Sequence, residues 1–233
     1  MKFIKFFEIT ILLLLVNCSV QNSNIRETYR ASVVDAMVPE SSEIYQLTPI
    51  NQNNKSLIWK MIDNEKYLLV TNWTDDVSDY QNESVTTSDD IWITVAPELT
   101  NRMRDEKFTL ANLRLNQLLG LPPQSGCNYF IEFWVKPEDI FRPCPDDEID
   151  DNQCNLCFPE STDSSHISWI NNYRINSYYS CELYDKYPWT QLGYTYDWNP
   201  KNKSHFGLSE FVVKTNSNII IKKIYTTEEY LNR

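Results

Sequence analysis

The sequence predicts an α+β fold made mainly of antiparallel β-sheet, with one or two packed helices and disulfide bonds. Three observations support this prediction. Short runs of β-branched and aromatic residues, bounded by Asn, Asp and Ser, recur along the chain and are typical of strands. Helical patterns are few and do not alternate with the strand patterns, which disfavours a parallel βαβ sheet. Five cysteines lie between Cys127 and Cys181, in a chain whose first residues resemble an export signal.

The strand patterns begin after residue 55 and continue to the C-terminal end of the chain. The matching segments are Ser56–Trp59, Tyr67–Trp73, Ile91–Val95, Tyr129–Val135, Gln191–Asp197, Leu208–Lys214 and Asn218–Thr226. Residues 74–90 are polar, without an apolar run, and are expected to form an exposed loop. The short link Thr215–Ser217 predicts a hairpin between the last two strands.

Two segments are predicted to be helical. Pro97 and Glu98 suit a first helical turn, because proline fits there and an acidic side chain favours the positive end of the helix dipole. Leucines follow at near-helical spacing, and the pattern stops at Gly120 and Pro122. A short terminal helix is expected to begin at Thr227.

The N-terminus has the layout of a secretory signal peptide. Lys2 and Lys5 form a basic head, an apolar stretch runs from Ile9 to Val16, and polar residues begin at Asn17. The apolar stretch is shorter than the roughly 20 residues that a membrane span needs. We therefore predict export, with residues 1–17 as the signal peptide, 18–42 as a tether and docking segment, and 43–233 as a single α+β domain.

Residues Leu15-Val16-Asn17-Cys18 resemble the lipobox of bacterial lipoprotein precursors. This resemblance implies that Cys18 is lipidated, with acyl chains such as palmitate, and becomes the mature N-terminus. The lipid would then anchor the protein to a membrane face of the cell envelope. Asn17 departs from the family, which usually has a small residue before the cysteine. Cleavage near Cys18 to release a soluble secreted protein is the alternative.

Charge and glycine content exclude several function classes. The formal net charge of −11 disfavours nucleic-acid binding, which needs basic side chains along the phosphates. Four glycines, none spaced as in a phosphate-binding loop, disfavour nucleotide binding. The expected partners are the membrane, through lipid on Cys18, and a protein or glycan. No cofactor is expected.

The cysteines of the mature chain are interpreted first as disulfide partners, because the chain is predicted to be exported. The candidates are Cys127, Cys144, Cys154, Cys157 and Cys181. The preferred pairing joins Cys144 to Cys154 or Cys157 and closes an acidic loop, with Cys127 or Cys181 in a second bridge. A zinc site built on Cys154, Cys157 and His166 is the weaker alternative, since a single CxxC pair is not specific.

Other residue groups are less specific. The acidic run Asp146–Asp151 is predicted to be a solvated loop rather than a calcium site. The aromatic residues of Trp189–Trp198 are predicted to pack in the core, although they could also stack against a sugar. No serine has the flanking residues of a nucleophile elbow. Glu132 with Glu138 or Asp139 is a carboxylate pair that could catalyse hydrolysis.

These patterns favour an exported, lipid-anchored envelope protein with a structural or partner-binding role over an enzyme. The alternative is an extracellular hydrolase with a carboxylate-centred acid/base site. The sequence does not assign a specific activity, and it identifies no catalytic residue.

Overall fold

The computed structural model describes residues 24–106, 111–178 and 186–233. The predictions for the signal peptide and for Cys18 lie outside these residues, as does Cys181. The described residues form an α+β fold that is mostly antiparallel sheet and contains one disulfide bond, so the predicted fold class is confirmed. None of the helices in this part of the chain is both long and apolar enough to cross a bilayer.

The described residues contain five helices and ten strands. The helices are α1 (24–35), α2 (Ala96–Asp105), α3 (Ala111–Leu118), α4 (Ser164–Tyr178) and α5 (Thr227–Leu231). The strands are β1 (Trp59–Ile62), β2 (Glu65–Thr74), β3 (Ser84–Thr86), β4 (Ile91–Val95), β5 (Tyr129–Val135), β6 (Ile140–Phe141), β7 (Tyr194–Tyr196), β8 (Phe206–Ser209), β9 (Phe211–Val213) and β10 (Asn218–Thr226).

Eight of these strands form one sheet with the order β3-β10-β5-β2-β4-β9-β6, and β1 pairs with β2 beside this path. All strand pairs among the described residues are antiparallel, and β7 and β8 form a separate two-stranded ribbon. The β1–β2 hairpin turns at Asp63 and Asn64, whose φ angles of 51° and 65° suit a primed two-residue turn.

The predicted hairpin at Thr215–Ser217 is wrong. Asn216 does have a φ of 62°, as a tight turn requires, but β9 pairs with β4 and β6 while β10 pairs with β3 and β5. The reason is local hydrogen bonding, because Thr87 pairs through its backbone with both Asn216 and Ser217. After this turn the chain therefore enters β10 on the far side of the sheet instead of pairing with β9.

The two faces of the large sheet are covered differently. Side chains alternate along each strand, so Leu68, Val70, Ile131 and Phe133 share one face, and this face is covered by loop residues such as Ile50. The opposite face carries the remaining side chains of the same strands. Helices α2, α3 and α5 cover it at β2 and β5.

Helix α4 covers the other end of this second face and was not predicted from the sequence. Its residues, SSHISWINNYRINSY, contain no continuous apolar stripe at helical spacing. It is held instead by rings: Trp169 lies 4.8 Å from Phe141 and 6.1 Å from Trp92, measured between ring centroids. The second face therefore has two separate helical covers with a space between them.

Candidate functional site

A row of polar side chains crosses the second face of the sheet. The strand register pairs Thr71 with Glu132 on one side and with Thr94 on the other. Phe211 pairs with Ile93, and continuing this register by one residue places Glu210 beside Thr94. Glu132, Thr71 and Thr94 thus follow one another across β5, β2 and β4, and Glu210, directly before β9, continues the row.

A cavity of about 380 Å³ lies over the Glu210 end of this row, between the helical covers. Its walls include seven aromatic residues, and we call it the aromatic cavity. They are Trp73, Trp92, Phe130, Tyr173, Tyr187, Trp189 and Tyr196. Half of the surface of Tyr187 is exposed, so the cavity reaches the protein surface at that residue. Its volume is within the range of pockets that hold small organic molecules.

Three of the rings form a packed group. Tyr173 lies 5.1 Å from Trp92 and 5.0 Å from Trp189, measured between ring centroids. Trp189 is close to perpendicular to both partners, at 79° to Tyr173 and 85° to Trp92. Trp92, Tyr173 and Trp189 therefore form one packed aromatic group whose ring planes differ in orientation.

Glu210 is the one acidic residue among those that line the aromatic cavity. Its backbone N–H donates to the carbonyl of Gly193 over 2.9 Å. Within the described residues its carboxyl group has no hydrogen-bond or ion-pair partner, and it is partly accessible where it lines the cavity. Burial without compensation raises the pKa of Glu210 to about 8. Glu210 is therefore mostly uncharged at neutral pH.

Gly193 provides the carbonyl group that accepts this hydrogen bond. Its φ is +74°, and a Cβ atom there would lie 2.7 Å from both Arg142 Cδ and Cys154 Sγ. Only glycine combines this backbone conformation with such a close approach. The position of Glu210 therefore depends on a turn that packs directly against the disulfide.

At the other end of the polar row, the carboxylate of Glu132 is paired with basic side chains. Glu132 accepts hydrogen bonds from Lys222 at 2.9 Å and pairs with Arg233 at 2.6 Å. Burial opposes the ionisation of Glu132, but the two cations together outweigh burial and lower its pKa. Both oxygens of Glu132 are thus engaged by cations, and its carboxylate is not free as an acid or base.

The carboxylate pair that the sequence suggested, Glu132 with Glu138 or Asp139, does not form a catalytic site. Glu132 is engaged by cations, while Glu138 is exposed and lies 4.0 Å from Lys136. Neither Glu132 nor Glu138 nor Asp139 lines a described cavity. Glu132 and Glu210 are three strand spacings apart, about 14 Å, which exceeds the separation used by paired glycosidase carboxylates.

The structure joins Cys144 to Cys154, which is one of the two pairings preferred from the sequence. Cys127 is half-buried and Cys157 is exposed, and neither has a disulfide partner in the described part of the chain. His166 Nε2 lies 2.7 Å from the carbonyl oxygen of Cys144. Because Cys154 is oxidised and His166 is bonded elsewhere, Cys154, Cys157 and His166 do not form a metal site.

The acidic run closes onto a buried arginine. Arg142 donates to the carbonyls of Asp151 and Gln153 and pairs with the Asp151 carboxylate. Asp146 is buried and accepts from Asn155 at 2.6 Å, whereas Glu148 and Asp150 are exposed. Across residues 24–106, 111–178 and 186–233, no group of three or more acidic, cysteine or histidine side chains is arranged to hold a metal.

The aromatic segment Trp189–Trp198 is buried as predicted. Leu192, Tyr194, Tyr196 and Trp198 are each at most 4 % exposed. The same segment nevertheless contributes Trp189 and Tyr196 to the cavity wall. This segment therefore belongs both to the core and to the wall of the cavity.

Sequence reasoning missed Glu210. The signal that could have found it is its setting, because it is a single acid inside the otherwise apolar or small run Leu208-Ser209-Glu210-Phe211-Val212. An acid in a predicted buried strand is costly unless it is paired or functional.

Comparisons of this chain with protein-family models, with curated proteins and with solved structures found no match. The function proposed below therefore depends on the chemistry of the cavity and on the patterns of the sequence.

Proposed function

We propose that this protein is an exported, lipid-anchored binding protein of the cell envelope that takes a small organic ligand into the aromatic cavity. The observation that carries the proposal is this cavity of about 380 Å³, lined by seven aromatic residues and one unpaired carboxyl group. Aromatic walls with few polar groups are typical of small-molecule sites.

The lining favours binding over hydrolysis. A carboxylate-centred hydrolase uses two acidic groups with different protonation states, and Glu210 is the single acid that lines the aromatic cavity. No His, Cys or Ser is among its lining residues either. The second described cavity contains two acids, Glu98 and Asp105, and the oxygens of Glu98 are already bonded to the hydroxyl of Thr48 and the N–H of Ser209 at 2.8 Å each.

The sequence supports placement at a membrane. The basic head, the apolar stretch and the lipobox-like residues before Cys18 are the features of an exported lipoprotein. Residues 19–23 would connect a lipid on Cys18 to α1 and could span at most about 18 Å. Helix α1 in turn packs against Tyr196 and Trp198, beside the aromatic cavity. A lipid at Cys18 would thus keep the cavity close to the membrane face.

Intact mass spectrometry of the protein purified from its own membranes tests the anchor. We expect loss of residues 1–17 and a mass increase on Cys18 that corresponds to acylation. The variant Cys18→Ala should leave the membrane fraction, while Cys157→Ala, which removes an exposed thiol, should stay there. An unacylated chain that still carries Met1 would contradict the export and anchor proposal.

Tryptophan fluorescence tests the cavity, since Trp73, Trp92 and Trp189 line it. We expect a saturable change in emission with at least one of three probes of similar size: benzyl alcohol, benzoate and benzyltrimethylammonium. Thr94→Phe, which fills the cavity, should abolish the response. Thr86→Phe, on exposed strand β3, is the matched control and should keep it. A lack of response to all three probes would contradict the binding proposal.

A further inference from the structure

We propose that the ligand of the aromatic cavity is an organic cation, an amine or quaternary ammonium group, with Glu210 as its counter-charge and Trp92, Tyr173 and Trp189 as its aromatic walls. This inference rests on the proposed binding function and specifies its ligand class. It is carried by the position of one unpaired carboxyl group in a cavity that contains no basic side chain.

The lining contains an acidic side chain and no basic one. No Lys, Arg or His lines the aromatic cavity, and within the described residues the Glu210 carboxyl has no cation of its own. The chain as a whole carries a formal net charge of −11. An anionic ligand would find no basic side chain to pair with there, whereas a cation can pair with the ionised form of Glu210.

The aromatic walls favour the same ligand class. A cation is stabilised over the face of an aromatic ring, and tryptophan gives the strongest interaction of this kind. The rings of Trp92, Tyr173 and Trp189 all line the cavity together with Glu210, and the plane of Trp189 is nearly perpendicular to the other two. An ammonium group with methyl substituents could contact such surfaces while its charge is balanced by the carboxylate.

The hydrogen-bonding groups of the lining disfavour a sugar. Asn72 already donates its amide to the carbonyl of Trp92 at 2.9 Å. The Thr195 hydroxyl donates to the carbonyl of Leu118 at 2.7 Å and accepts from the N–H of Leu208 at 2.9 Å. A polyhydroxylated ligand would therefore find few unoccupied partners for its hydroxyl groups, although the Thr71 hydroxyl is buried without a partner.

Binding of a cation would release a proton. With a pKa of about 8, Glu210 is mostly protonated in the empty cavity at pH 7. A cation pairs with the ionised form, so the carboxyl O–H bond breaks, its electron pair stays on Glu210, and the proton passes to the buffer. A neutral ligand would leave this proton in place.

The other titratable groups near Glu210 do not oppose this step. Tyr173 faces it from α4, and Tyr187 and Tyr196 line the cavity from the segment 186–196. Burial raises the pKa of each of these tyrosines, so they stay uncharged. Asp90, which lies before β4 and also influences Tyr173, is held by the N–H groups of Trp169 and Thr215. Leu99, Leu119 and Leu121, which line the cavity from the α2 and α3 side, do not titrate.

The test compares choline with 3,3-dimethylbutan-1-ol, which has the same shape and no charge. Isothermal titration calorimetry should show at least about tenfold tighter binding of choline, equivalent to about 1.4 kcal/mol. In buffers of different ionisation enthalpy, choline binding at pH 7 should release about nine tenths of a proton. Its affinity should rise about tenfold per pH unit at pH values below about 8.

Glu210→Gln is the decisive variant, because glutamine has nearly the shape of the protonated acid and should leave the fold intact. It should remove the preference for choline, the proton release and the pH dependence together. Glu138→Gln, which neutralises an exposed acid outside the cavity, should keep all three.

The results that would overturn the inference also distinguish its failure from the failure of the binding proposal. If the neutral alcohol binds as tightly as choline, or if only benzyl alcohol or benzoate binds, the cavity takes a ligand of another class and the binding proposal stands. If neither the choline pair nor any of the three fluorescence probes binds, both proposals fail. A preference for choline that Glu210→Gln leaves unchanged would also overturn the role of Glu210.

Discussion

At the scale of single residues, Glu210 makes a prediction that needs no ligand. Its pKa is about 8 in the folded protein, against an ordinary value of 4.5. Between these values the folded state binds more protons than the unfolded state, so stability falls as the pH rises through this window. Relative to Glu210→Gln, the parent protein should lose up to about 1.4 kcal/mol per pH unit in this range.

Urea denaturation of both proteins at several pH values measures this difference. The two free energies of unfolding should be similar near about pH 5 and should diverge toward about pH 8, with Glu210→Gln the more stable protein there. Glu138→Gln, which changes an exposed acid, should follow the parent protein at every pH. Parallel curves for the parent and Glu210→Gln would show that the Glu210 carboxyl is not desolvated.

Some residue-scale features were predictable and others were not. The burial of Tyr194, Tyr196 and Trp198 could be predicted from strand alternation, but Thr195 and Asp197 between them are buried as well, so both sides of this segment are covered. The environment of Glu210 could not, because its walls come from α4 and from the segment 186–196. These segments are separate in the sequence and meet only in the folded structure, and local sequence patterns do not encode such contacts.

At the scale of elements, the disulfide and Arg142 hold the same acidic loop. Cys144 and Cys154 are 10 residues apart in the sequence. The variant with both cysteines replaced by alanine should be less stable by about 2–3 kcal/mol, since the open loop gains entropy in the unfolded state. Because Cys154 also contacts the turn at Gly193 that bonds Glu210, we expect weaker binding in the aromatic cavity too.

Thermal and urea unfolding measure the stability, and the fluorescence titration described above measures binding. Cys157→Ala is the matched control, because this exposed thiol forms no disulfide in the described residues and its loss should change neither quantity. If the double variant unfolds at the same urea concentration as the parent, the loop is held by Arg142 alone.

The elements also show where pattern reading succeeds. The predicted strands Ile91–Val95, Tyr129–Val135 and Asn218–Thr226 coincide with β4, β5 and β10, because each is a run rich in β-branched and aromatic residues. The sheet buries most of β5, whereas most of β10 is only partly buried or exposed. The predicted strand Leu208–Lys214 is interrupted at Glu210. At this point the backbone leaves β8 in the small ribbon, bonds Gly193, and enters β9 in the large sheet. The local pattern of hydrophobic residues does not show where the chain passes from one sheet to another.

At the scale of the whole molecule, the two faces of the large sheet have different roles. One face is a continuous apolar core covered by loops, and it contributes stability. The other face carries separate helical covers that leave the aromatic cavity between them. This asymmetry follows from the strand residues, since Thr71, Thr94 and Glu132 stand on the second face where the first has aliphatic side chains.

Helix α1 connects the N-terminal segment to this second face. Tyr29, Val33 and Ala36 are buried against Tyr196 and Trp198. In addition, the Tyr196 hydroxyl donates to Asp35 at 2.7 Å. Since Tyr196 also lines the aromatic cavity, the docking of α1 fixes one wall of the proposed ligand site.

A pair of neighbouring valines tests this connection. Val33 is fully buried, whereas Val34 is 49 % exposed. Val33→Ala should destabilise the protein by about 2 kcal/mol, because it leaves a space in the contact between α1 and Tyr196. It should also weaken ligand binding, since Tyr196 loses part of its support.

Val34→Ala should change stability by less than about 0.5 kcal/mol and leave binding unchanged. Urea unfolding and the fluorescence titration check both expectations, and equal effects of the two substitutions would show that α1 does not support the cavity wall.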